Sequence, residues 1–164
     1  MPSPAAPGEW WQFCTSCAGA NIGLDATRDL AGAWGEVMGL IHDPVENFSM
    51  YFEEAISTWF GFTNHVGPDA TGMMFDDAIW VYWTQNLTIW PADQKAVVLN
   101  RSNVVEPSFQ VGRVGLPSVL RMAGNARQLA LLYDGGGSPG DVYYNENCSV
   151  ALAWIDLPLT PPPR

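Results

Sequence analysis

Basic residues are scarce in this chain of 164 residues: seven Lys and Arg stand against seventeen Asp and Glu, for a formal charge of −10, and Lys95 is the only lysine. Nucleic-acid binding needs a basic stripe that neutralises phosphates, so a dispersed handful of arginines excludes that class, and an anionic membrane surface is disfavoured for the same reason. Long apolar runs are also missing. Stretches such as Ala78 to Trp83 fall far short of the roughly 20 residues that span a bilayer. The segment Met1 to Gly8 has neither a basic nor an apolar signal region, which leaves a cytoplasmic location as the default.

Cysteine is sparse too. Cys14, Cys17 and Cys148 are odd in number, and one Cys-x-x-Cys without a second offers half a zinc site or a redox pair. The plainer alternative puts Cys14 in a strand and Cys17 in the turn after it. The expectation is therefore of no cofactor and no metal. Asn47, Asn86 and Asn147 each begin a glycosylation sequon, read as chance without a secretion signal.

What the chain does have is apolar and aromatic: 48% hydrophobic residues, eight Trp, and sixteen Gly and thirteen Pro as turn formers. Such a composition buries a core, and it favours many short strands over a few long helices. Self-similarity then organises those strands. Trp10-Trp-Gln-Phe-Cys-Thr15, Trp59-Phe-Gly-Phe-Thr-Asn64 and Leu129-Ala-Leu-Leu-Tyr-Asp134 are apolar runs of one length, each ending in a small polar residue. A second segment follows each: Ile22 to Leu24, Ile79 to Val81 and Val150 to Leu152. Beyond these, Ala26-Thr-Arg-Asp-Leu30 corresponds to Trp83-Thr-Gln-Asn-Leu87, so Asp29 and Asn86 are equivalent, and each is expected to bend a hairpin by bonding its own backbone. The third copy shortens this to Trp154-Ile-Asp-Leu157. Upstream, Phe48-Ser-Met-Tyr51 matches Pro117-Ser-Val-Leu120.

Each complete copy is thus a four-stranded antiparallel unit, the blade of a β-propeller. The expected fold is all-β, a partial propeller of about two and a half to three blades at 9–38, 46–99 and 115–159, with an irregular segment 1–8 and a Pro-rich tail 160–164. The first blade lacks its innermost strand.

With these strings in view, the chain resembles the five-bladed propeller glycosidases, the group holding glycoside hydrolase family 43 and the fructan-cleaving families 32 and 68. Trp59-Phe-Gly-Phe-Thr63 looks like their aromatic second strand. Ile22 to Trp34 looks like their recurring third-to-fourth strand hairpin, and Leu129 to Leu159 is similar to their last blade. The resemblance implies a sugar site at the mouth of the propeller axis, with carboxylates at the starts of inner strands. Glycoside hydrolysis needs one protonated and one ionised carboxyl group.

Glu46, just before the inner strand Phe48 to Tyr51, takes the place of the acid that this resemblance implies. Asp43, followed by Pro44, resembles the transition-state stabiliser of the fructan-cleaving families. The plain alternative for both is a solvated turn. Loops after the second strands are expected on the same face, which makes Asn64, His65, Asp77 and Asp134 candidates for substrate binding. Asp76 and Asp77 are adjacent on a strand, so at most one can face the axis. Glu106 is a weaker alternative acid. Trp10, Trp11, Trp59, Trp80, Trp83 and Trp90 can stack on sugars, but their equivalent places in the repeats favour packing between blades.

Carbohydrate is therefore the expected partner. The resemblance would place a catalytic base on a first blade that residues 9–159 do not supply, so a non-catalytic fragment binding carbohydrate or protein, and a β-sandwich, are the alternatives. Closing a propeller takes at least four blades, so open edges are expected to drive self-association.

Overall fold

The computed structural model describes residues 8–17, 20–68, 74–104, 113–136 and 148–162. It is all-β, a partial propeller of three antiparallel sheets. The first sheet holds β1 (Trp10–Cys17), β2 (Ala20–Thr27) and β3 (Gly35–Ile41). The second holds β4 (Val45–Glu53), β5 (Thr58–Pro68), β6 (Met74–Thr84) and β7 (Lys95–Asn100), and the third β8 (Arg113–Arg121), β9 (Gln128–Gly136) and β10 (Cys148–Asp156). Every pairing joins strands adjacent in sequence, so each repeat folds on itself. A sandwich would pair distant segments instead. Among the described residues no helix is long and apolar enough to cross a membrane.

The cross-strand register confirms the repeat. Phe60 faces Trp83 and Phe62 faces Val81, while Ala130 faces Trp154 and Leu132 faces Leu152. Both inner strands also carry the same irregularity: the β4 register shifts between Glu46 and Ser49, and the β8 register between Gly115 and Ser118. Within those bulges Asn47 (φ 53°) and Leu116 (φ 48°) adopt the left-handed conformation at equivalent places. A bulge re-aims the side chains beside it. Ser49, one turn of the pleat later, accepts a 2.9 Å hydrogen bond from the Val119 N–H, tying one inner strand to the next.

Asp29 and Asn86 make the two hairpin bends as expected, through a device in which threonine shares. Thr27 Oγ1 lies 2.8 Å from the Asp29 carbonyl and accepts from the Asp29 N–H at 3.1 Å, while Asp29 Oδ1 accepts from the Ala31 N–H. Thr84, Asn86 and Thr88 repeat this pattern. The third sheet departs from it. With only Trp154-Ile-Asp-Leu157 left of the hairpin string, no fourth strand follows β10 among the described residues; Leu157 donates to the Arg127 carbonyl and Leu159 to Glu53 Oε2. Cys17, expected in a turn, is the last residue of β1, and Cys14 is disulfide-bonded.

The sheets stack in chain order. β1 and β2 meet β4, and β8 crosses β4, β5 and β6. Alternation along the strands serves both interfaces of the middle sheet. One core contains Trp11, Ile22, Leu24, Tyr82 and Trp90, and the other Phe60, Phe62, Ile79, Trp83, Leu131 and Tyr133. Fully burying a side chain such as Phe62 or Ile79 contributes about 1.5–3 kcal/mol. Close approach has its own requirement: a Cβ on Gly61 would stand 2.4 Å from the Phe48 ring. Only glycine leaves room for that ring against β5.

Candidate functional site

Every sequence candidate among the described residues lies at one end of the stack, where β2, β4, β6 and β8 begin and β5 and β9 finish. Two groups of polar side chains form there. The first spans the second and third sheets. Asn47, turned by its bulge, donates to Asn64 Oδ1 at 2.8 Å, and Asn64 donates to Asp76 Oδ1 at 2.6 Å. Arg113, the first residue of β8, then bridges the sheets: its Nη2 is 3.2 Å from Asp76 Oδ2 and 2.7 Å from Asp134 Oδ2.

Asp76 sits well inside this group, and burial pushes its carboxyl above the ordinary 3.8; repulsion from Asp134 and Glu46 adds to the rise, against the pull of Arg113 and Asn64. Glu46 pairs with Asn64 across β4 and β5, as Gly115 pairs with Asp134 across β8 and β9. Glu46 is exposed. At its repeat equivalent only glycine fits, since a Cβ on Gly115 would meet Asp76 Oδ2 at 2.8 Å.

The second group lies toward the first sheet. His65 Nδ1 faces Asp77 Oδ1 at 2.7 Å, and the imidazole stacks on Trp80 with centroids 4.4 Å apart. Lys95 Nζ lies 4.8 Å from the Trp80 ring centroid and donates to Asp43 Oδ2 at 2.6 Å, where Tyr82 also donates at 2.7 Å. Burial works against ionisation of Asp43, but the hydrogen bonds from Lys95 and Tyr82 and the charges of Lys95 and His65 outweigh it, holding the carboxyl below its usual value. Burial and the same Asp43 raise the Tyr82 phenol. A cleft of about 180 Å³ beside Asp43 is lined mainly by Leu40, Ile41, Tyr82 and Trp90.

Several positions differ from the sequence expectation. Asn64, His65 and Asp134 are strand residues, not loop rims, because β5 runs on to Pro68 and β9 to Gly136. Asn64 is completely buried. Asp43 does lie in the bend between β3 and β4, but it is ion-paired there with Lys95 and only 27% exposed. Asp76 and Asp77 do diverge, Asp76 toward Asn64 and Arg113 and Asp77 toward His65. Glu106 lies outside the described residues. Arg113, Asn47, Tyr82 and Lys95 complete the two groups, and nothing in sequence spacing singles them out; the left-handed tolerance of asparagine is the one local signal, at Asn47.

Five of the six tryptophans named from the sequence lie in or against the cores. Trp11, Trp83 and Trp90 are buried, and Trp59 and Trp80 lie against the first core. Among the described residues no group of three or more His, Cys, Asp or Glu side chains is placed to hold a metal ion. Comparison with protein-family models, characterised proteins and solved structures found no match.

Proposed function

We propose that this chain is a glycosidase-like propeller that acts on or binds a poly- or oligosaccharide at the end of the stack bearing Glu46, Asp76 and Asp134. The observation that carries the reading is geometric: the exposed carboxylate Glu46 lies across β4 and β5 from Asn64, whose amide donates at 2.6 Å to the half-buried carboxylate Asp76. Of two carboxyl groups in one site, the one shielded by burial keeps its proton more readily. That is the division of labour glycoside hydrolysis needs: a proton goes to the leaving oxygen as the bond to the anomeric carbon breaks, and water supplies the hydroxyl that replaces it. Glu46 is the group free to reach a ligand. His65 and Asp77 flank the site as hydrogen-bonding groups.

A non-catalytic reading has its own support. Arg113 engages both Asp76 and Asp134, which leaves Glu46 as the one unengaged carboxylate of the three. Such a site would bind sugar without cleaving it.

The test is a panel of aryl-glycosides together with pull-down on insoluble polysaccharides, using wild type and Glu46→Gln. Turnover lost in Glu46→Gln with binding retained supports the hydrolase. Binding without turnover in either protein selects the non-catalytic form, and equal turnover in both removes Glu46 from the mechanism. Neither binding nor turnover in wild type overturns the carbohydrate reading.

A further inference from the structure

The third sheet has two faces of different fate. Val119, Leu131, Tyr133, Ala151, Ala153 and Ile155 turn toward the second sheet and join its core. On the other face Leu120 and Trp154 flank Ala130, itself 2% exposed, and Leu132 pairs with Leu152, an apolar surface that no further sheet covers among the described residues. Val150 is 75% exposed, Leu152 49% and Trp154 46%. In the second sheet the same register positions are Ile79, Val81 and Trp83, and the next sheet covers them. Among the described residues the fold therefore has one interface of this kind already made and one open.

We propose that a second copy of this chain covers this surface, by the same face, across a twofold axis. Two properties select that occupant. The first is charge. The rows of Trp154 and Leu152 carry no ionisable side chain, and the carboxylates of the flanking rows, Asp134 and Asp156, stand at the rim, so in a chain of net charge −10 two copies can meet on these two rows without like charges face to face. The second is the character of the opposite end of the stack. There Gln12 pairs with Asp25 across β1 and β2, and Asp25 with the exposed Glu36 across β2 and β3. Stacking that face head-to-tail on Trp154 and Leu152 would set a carboxylate against aliphatic groups, at a cost that apolar surface cannot offset. Apolar against apolar leaves the isologous arrangement, the commonest symmetry of oligomers. Aligned sheets pack in this way about 10 Å apart.

Size sets the strength. Three strands at about 4.8 Å spacing and roughly seven residues of length present about 300 Å² of flat sheet per copy. Interfaces of that order are weak and reversible. The dimer is accordingly concentration-dependent.

Sedimentation equilibrium over about 1 to 300 µM, a range that spans weak association, tests this. The expected result is a mass rising from 17.9 kDa toward twice that value and no further. Leu152→Lys should weaken the dimer at least tenfold, with circular dichroism unchanged. Val150→Glu, at a position more exposed still, carries the same test should the lysine variant fold poorly. Leu30→Lys, at an exposed position in the turn between β2 and β3, should leave association intact. A monomer at every concentration overturns the proposal. So does a dimer indifferent to both substitutions, or growth beyond two copies.

Discussion

Trp83 of β6 and Trp154 of β10 hold the same place in neighbouring repeats, each cross-strand from the second strand of its sheet, yet Trp83 is 8% exposed and Trp154 46%. What differs is the layer above. Trp83 lies under the third sheet, within a core that includes Phe60, Leu131 and Tyr133. Trp83→Ala should leave a cavity and cost about 3–5 kcal/mol. Trp154→Ala, measured in dilute solution where the chain is monomeric, should cost under about 1 kcal/mol. Urea titration of both variants checks this, and equal losses would mean that the two sheets are not stacked as described.

The paired hairpins predict a second result. Thr27 and Thr84 are both buried, and each hydroxyl accepts a backbone N–H and reaches a carbonyl across its turn, Ala33 in one case and Ile89 in the other. Thr27→Val or Thr84→Val removes these bonds at nearly constant volume, which should cost about 1–2 kcal/mol each. The turns share no partner, so the double variant should show the sum. A marked departure from additivity in thermal unfolding would show that the hairpins are not independent.

Asp29 and Asn86 show why so much of the fold is legible in the sequence. A hairpin bend is local: its residues bond their own neighbours, and the same chemistry recurs wherever the repeat does. Strand position follows equally from apolar runs that recur at one length. The site is different. Arg113 stands about 37 residues from Asp76, and their contact depends on how far the third sheet slides over the second, a matter of side-chain volume at Gly115 and of the bulges at Asn47 and Leu116. Nothing periodic records that offset. Lys95 and Asp43 likewise meet only because β7 and the β3 to β4 connection close over Tyr82.

The two perturbed aspartates give opposite pH signatures. Asp43 has its folded pKa below the unfolded 3.8, so its contribution to stability is present above that value and is lost as pH falls through the folded pKa. Asp76 has a folded pKa above 3.8, so ionising it opposes folding and stability falls as pH rises through that folded value. Asp43→Asn should therefore be less stable than wild type near neutrality, with the gap closing below 3.8. The stability of Asp76→Asn relative to wild type should increase as pH rises above 3.8 and then level off. Thermal midpoints recorded from acid to neutral pH report both differences. If the two move in the same direction, one of the charge assignments is wrong.

Cys14 gives a chemical prediction that needs no variant. It is disulfide-bonded, and the chain holds three cysteines. Denatured, unreduced protein should therefore release one free thiol per chain in a thiol titration, and three after reduction. Such bonds persist in oxidising surroundings, so the purification must exclude reductant for the count to mean anything. Three thiols before reduction would remove the disulfide.

Thr63 offers a gain of stability. It is fully buried in β5, and its Oγ1 has no hydrogen-bond partner, unlike Thr27 and Thr84, whose hydroxyls are spent on turns. An unsatisfied buried hydroxyl carries its desolvation cost without return, about 1–3 kcal/mol. Valine has nearly the same shape, and its branched side chain suits the strand position across from Trp80. Thr63→Val should therefore stabilise the fold by about 1 kcal/mol, which for a chain of this size raises the midpoint of thermal unfolding by about 2–4 °C. The neighbouring Asn64→Leu provides the contrast: its amide is engaged at both ends, by Asn47 and by Asp76, so the same kind of polar-to-apolar exchange one residue along should destabilise. A destabilised Thr63→Val would mean that the hydroxyl has a partner, with a buried water the first candidate for it.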